Sequence, residues 1–118
     1  IPQPDEATIY IYRLRASRDI DRDNTTLWMS GRLIGSTLPQ TFFWIQTPPG
    51  PQLFNGVGPD NGRLRLEVDP GQIYFVRLQV RAGQSRMELV DPAQGRQELT
   101  ACCVLLEYWR PGQRPLLR

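Results

Sequence analysis

The sequence predicts a mainly β domain, an antiparallel sandwich or small barrel with a short C-terminal helix. Three observations carry this. Short segments rich in β-branched and aromatic residues recur along the chain, with apolar and polar positions alternating inside them. Clusters of Gly, Pro, Asp and Ser separate these segments at the spacing of all-β sandwiches and barrels. Only the stretch after Asp91-Pro92 opens like a helix.

The elements follow in order. Ala7 to Leu14 alternates and reads as a first strand, and the polar run Ala16 to Asn24 reads as a loop. Thr25 to Ser30 resumes strand character. Ser30-Gly31 marks a turn, from which Arg32 to Gly35 returns as a short strand. Thr41 to Thr47 is the most strongly β segment. Pro48-Pro49-Gly50-Pro51 is then expected to forbid pairing and force a bend, with a short extended piece at Gln52 to Phe54 and a glycine-rich loop from Asn55 to Gly62. Arg63 to Val68 and Gln72 to Arg81 flank the turn Asp69-Pro70-Gly71, where proline presets φ and glycine accepts a positive φ. We read Arg63 to Arg81 as one hairpin. Arg86 to Val90 is another short strand. Asp91 as N-cap and Pro92 at the first helical position predict a helix through about Ala101, weakened by Gly95. Val104 to Trp109 is a last strand or an apolar tail.

A length of 118 residues fits one domain, assigned here to 1–118 with its core at about 7–109 and tails at 1–6 and 110–118. At this size folding buries roughly two thirds of the open chain's surface, so an apolar core suffices without a metal or disulfide framework. Hydrophobic and charged fractions of 40% and 22% are those of a soluble globular chain. No apolar run approaches the roughly 18 residues of a membrane span. The opening Ile1-Pro2-Gln3-Pro4, without an initiator methionine, leads us to expect a processed or trimmed form.

All 14 basic residues are arginines, and the net charge is only +2. Genome composition explains this blandly; selection for bidentate contacts to carboxylate or phosphate explains it more sharply. Alternation places Leu64, Leu66 and Val68 on one face, and Tyr74, Val76, Leu78 and Val80 likewise, and these are the expected core. The opposite, outward face is expected to carry Ile73 and Phe75 and, with the first strand, Ile9 and Ile11. The C-terminal segment around Leu99, Cys102, Leu105 and Leu106 is expected to cover these apolar positions. The same face collects Arg13, Arg15, Arg63, Arg65, Arg77 and Arg81, the candidate binding surface.

Chemistry is mostly excluded. Without histidine the usual general base, the Ser-His and Cys-His pairs and the commonest zinc ligand are missing, so no catalytic residue and no cofactor is expected. Cys102 and Cys103 lack zinc-site spacing, and a bridge between neighbours would close a strained ring. We read them as small buried apolar side chains, with a redox pair or strained disulfide as the alternative. Asp19, Asp21 and Asp23 have the alternate spacing that opens a calcium loop. Asn24 stands where the loop needs glycine and Ser30 where it needs a bidentate glutamate, so a solvated loop is preferred. Gly56-x-Gly58 has no helix to receive a phosphate. Trp28, Phe42, Phe43 and Trp44 could line a sugar platform, although core positions explain them better. Arginines among aromatics on a β fold give an alternative function, binding single-stranded nucleic acid or an acidic glycan. Acidic residues on the same face and the small net charge disfavour nucleic acid.

The order of segments resembles an uncharacterised family of small bacterial envelope proteins, many of them lipoproteins, grouped as a domain of unknown function. The likeness rests on Ala7-Thr8-Ile9-Tyr10-Ile11-Tyr12-Arg13, Trp28-x-x-Gly31-x-Leu33-Ile34-Gly35 and the aromatic strand running into Pro49-Gly50. It continues in Asp69-Pro70-Gly71-Gln72-Ile73-Tyr74-Phe75-Val76-Arg77 and Leu89-Val90-Asp91-x-x-x-Gly95-Arg96-x-Glu98-Leu99, and covers about positions 7 to 103. The resemblance implies export to the periplasm or cell envelope, an immunoglobulin-like or related β-sandwich, and no catalytic residues. Taken together, the β pattern, the absent chemistry and the resemblance lead us to expect another envelope protein or a cell-wall glycan as partner. Membrane contact is implied only through a lipid-bearing cysteine upstream of the domain, which positions 1–6 do not contain.

Overall fold

In the computed structural model residues 6–14, 26–36, 40–55, 63–81 and 84–109 are described, and among them nine strands and one helix follow one another. The strands are β1 (Ala7–Arg13), β2 (Thr26–Met29), β3 (Arg32–Ser36), β4 (Thr41–Thr47), β5 (Gly50–Asn55), β6 (Arg63–Val68), β7 (Ile73–Arg81), β8 (Gln84–Val90) and β9 (Val104–Trp109). The helix α1 (Pro92–Cys102) precedes β9. They form a five-stranded sheet in the order β8-β7-β1-β4-β9 and a four-stranded sheet in the order β3-β2-β5-β6. The expected mainly β, two-sheet fold with one short helix near the C-terminus is therefore present. Its larger sheet is mixed, since β1 pairs parallel to β7 and β4 parallel to β9.

Alternation decides what lies between the sheets. Ala7, Ile9 and Ile11 of β1, Phe43 and Ile45 of β4, and Val76 and Leu78 of β7 face Leu27, Met29, Ile34, Phe54, Leu66 and Val68 of the smaller sheet. Burying such side chains is worth about 1.5–3 kcal/mol each, so this double layer is the main source of stability. Ile9 and Ile11 thus lie between the sheets and not on the outward face expected for them. The parallel register sets Ile9 beside Tyr74 and Ile11 beside Val76. A facing cannot be carried from one strand to another until their register is known.

The Arg63–Arg81 hairpin is also corrected. β6 pairs with β5, whereas β7 pairs with β1 and β8. Asp69-Pro70-Gly71 does turn the chain, with Gly71 at φ 75°, but the turn carries it across from one sheet to the other. The crossing is pinned by Gly71 N–H donating to Glu6 O at 2.8 Å and Thr8 N–H donating to Gln72 O at 3.0 Å. Both strands bury an apolar face in the same core, so alternation alone could not tell a hairpin from a crossover.

Two local expectations differ in detail. Pairing resumes at Gly50, and Pro51 lies opposite Glu67 within β5. The Leu53 backbone bonds towards β2, through Ser30 N–H to Leu53 O at 2.7 Å and Leu53 N–H to Ser30 Oγ at 3.2 Å. Pro51 points the same way, beyond the end of β2, so its missing N–H costs no ladder bond. At the end of α1, Cys102 and Cys103 are half-buried and joined in a vicinal disulfide. Neighbouring Cβ atoms diverge inside a regular element; here the backbone passes from helix to extended (Cys103 φ −132°, ψ 146°) between the two residues.

Candidate functional site

The four-stranded sheet has one face on the core and one turned outward. On β6, Leu66 and Val68 point inward, which sends Arg63, Arg65 and Glu67 to solvent, all exposed. On β5, burial of Phe54 turns Pro51, Leu53 and Asn55 outward, with Leu53 42% exposed. On β2, Leu27 and Met29 are buried and half-buried Trp28 faces out, its Nε1–H donating to Thr26 Oγ1 at 3.2 Å. Register aligns these side chains in rows. One row runs Leu33, Trp28, Asn55, Arg63; a second sets Leu53 beside Arg65 and a third Pro51 beside Glu67. The Ser30-Gly31 turn joins β2 and β3 with positive φ at both residues (50° and 81°), the form whose twist suits a two-residue hairpin. Neither Arg63 nor Arg65 forms an ion pair with a described residue.

The five-stranded sheet is closed differently. Its outward rung carries Phe75, Tyr10, Trp44 and Tyr108 side by side on β7, β1, β4 and β9, with ring centroids 5.2, 6.2 and 4.7 Å apart. α1 lies across the β7 side of this face. Its N-cap is the expected one: Asp91 Oδ2 accepts from Ala93 N–H at 3.2 Å and Gln94 N–H at 3.4 Å. Gly95 is buried on Phe75, and a Cβ there would overlap the Phe75 side chain. Beside it Arg77 Nη1 donates to Glu98 at 3.0 Å, Arg77 Nη2 donates to Glu88 at 2.6 Å, and the Tyr12 hydroxyl donates to Glu98 at 2.6 Å. The Tyr12 bond, helped by Gln94 and Arg77 and opposed by burial, holds the Glu98 carboxyl below its ordinary value. Burial first, then the bond to Glu98, pushes the Tyr12 hydroxyl well above its own.

The arginines expected on one face are therefore divided. Arg13 is 1% exposed and lies in the core layer beside Leu78. Arg77 is half-buried under α1 and held by two glutamates. Among the described side chains of this set, Arg63 and Arg65 alone share an open face. Of Arg81 only the backbone, the end of β7, is described; Arg15 lies outside the described residues, as do Asp19, Asp21 and Asp23 and the Gly56–Gly58 stretch. The four aromatics divide too: Phe43 is core, Phe42 and Trp44 lie on the helix side, and Trp28 lies on the open face. Leu53 and Asn55 were missed as neighbours of the arginines, because cross-strand register has no short-range sequence signal.

Among the described residues no three His, Cys, Asp or Glu side chains gather as a metal site, and no helix is long and apolar enough to cross a membrane. Comparison with protein families, with curated proteins and with solved structures finds no match.

Proposed function

We propose that this chain is a non-enzymatic binding or scaffold module of the bacterial periplasm or cell envelope. It works through a protein or glycan contact at the open face of the four-stranded sheet. The observation that carries the reading is the state of that face: Arg63 and Arg65 stand exposed beside Leu53, whereas Arg77 on the other sheet is occupied by Glu88 and Glu98. An exposed apolar side chain beside guanidinium groups that form no ion pair with a described residue is a surface with contacts to offer. The envelope location rests on the family resemblance of residues 7 to 103.

The test is retention of the purified domain on isolated bacterial envelope fractions. The double variant Arg63→Ala, Arg65→Ala should keep the circular dichroism of the parent and lose most of its retention. Equal retention of parent and double variant would remove this face from the function.

A further inference from the structure

We infer that the open face takes a carboxylate-bearing polysaccharide, an inference that rests on the binding-module reading above. The face is small. Three strand gaps of about 4.8 Å and six residues of about 3.3 Å give a patch on the order of 300 Å². A stable protein interface takes about 800 Å² from each partner, well beyond this patch. A polysaccharide needs only a strip, and the row across the strands supplies one. Trp28 offers a ring for the apolar face of a sugar, Asn55 an amide for its hydroxyls, and Arg63 a guanidinium for its carboxylate.

Charge narrows the class further. Arg63 ends that row and Arg65 stands about 6.7 Å from it along β6, at right angles to the row, so a chain that crosses the strands and bends along β6 sets two carboxylates on them at once. Guanidinium binds carboxylate through two parallel N–H···O bonds, a geometry an ammonium group cannot copy. Glu67 continues the same line two residues on and is exposed. A nucleic acid, charged at every nucleotide, would set phosphate against Glu67 and draws its affinity from many more cations than two. A partly charged glycan can leave an uncharged unit there.

Titration of the whole chain by calorimetry with polygalacturonate half of whose carboxyls are methyl-esterified, so that uncharged units interrupt the charged ones, tests this, with the fully methyl-esterified polymer and oligo-dT as controls. Binding to the acidic polymer alone is expected, weakened at least tenfold by Arg63→Ala, Arg65→Ala. The pair Arg63→Lys, Arg65→Lys should also weaken it, because charge is kept while the bidentate fork is lost. No binding of the half-esterified polymer, equal binding by the alanine variant, or tighter binding of oligo-dT overturns the inference. If the half-esterified polymer fails while the alanine variant still loses retention on envelope fractions, the glycan inference falls and the open face keeps its role. If both fail, both fall together.

Discussion

The two outward faces of this sandwich use the same residue type to opposite ends. Under α1, Arg77 is enclosed by Glu88, Glu98 and Tyr12, and its charge is spent on joining β7, β8 and the helix. On β6, Arg63 and Arg65 alternate with core leucines and meet no described acid. The difference follows from what covers each sheet. Beneath a helix an uncompensated guanidinium loses its water, so it must bring its own anions; in the open it keeps its water and can exchange it for a ligand. An arginine in a strand pattern is therefore structural or available according to its roof.

The largest effect is expected at Phe75, 3% exposed on the closed face. Phe75→Ala should cost about 3–5 kcal/mol in urea unfolding, since an aromatic is removed from beneath the helix. A loss below 1 kcal/mol would mean that α1 is not a roof at all. Gly95→Ala is the next test and has a sign to decide. Helix propensity alone favours alanine by about 1 kcal/mol, whereas its Cβ would overlap the Phe75 side chain, and such overpacking costs about 1–3 kcal/mol. We expect net destabilisation, and a stabilised variant would show that α1 stands further from the sheet.

How much of this was legible follows the range of each cause. Strand positions and turns were readable at Ala7–Arg13, Thr41–Thr47 and Ser30-Gly31, because alternation and positive φ act within a few residues. The Asp91-Pro92 opening of α1 was readable for the same reason. That Ile9, Ile11 and Arg13 share a face was legible as well; that this face points inward was not. A polar strand end was read as facing water, although Arg13 is as enclosed as Ile11. The partners of β6 and β7 were out of reach too, because both flanks of Asp69-Pro70-Gly71 satisfy a hairpin and a crossover equally. Of the candidate site, Arg63 and Arg65 came from the pattern of β6. Trp28 was visible as an aromatic candidate, but its place beside the arginines, and Leu53 and Asn55 altogether, came only with register.

Glu98 makes the closed face sensitive to pH. Its carboxyl is held below the ordinary 4.5, chiefly by the Tyr12 hydroxyl, so its contribution is whole above that value and fades as pH falls through it. Glu98→Gln should therefore lower stability by about 1–2 kcal/mol at neutral pH, the worth of a charge-assisted bond in a partly buried setting. Urea midpoints of parent and variant should converge as pH falls progressively below 4.5, as the parent loses what the variant never had. A constant gap across that range would place the stabilisation in packing and not in the ionised carboxylate.

The smallest effect is expected on the open face. Arg63→Ala with Arg65→Ala removes two exposed side chains that bond no described residue, so stability should change by no more than about 0.5 kcal/mol. The aliphatic stems of arginine do cover neighbouring apolar surface, and here Leu53 lies directly beside Arg65. If the stem of Arg65 shields Leu53, then Arg65→Met should keep stability while Arg65→Ala loses it. If neither variant moves the urea midpoint, the guanidinium groups add nothing to the fold, and the contrast with Arg77 stands. A loss above 1 kcal/mol shared by both variants would instead make the charge structural, and the two faces would then differ in degree and not in kind.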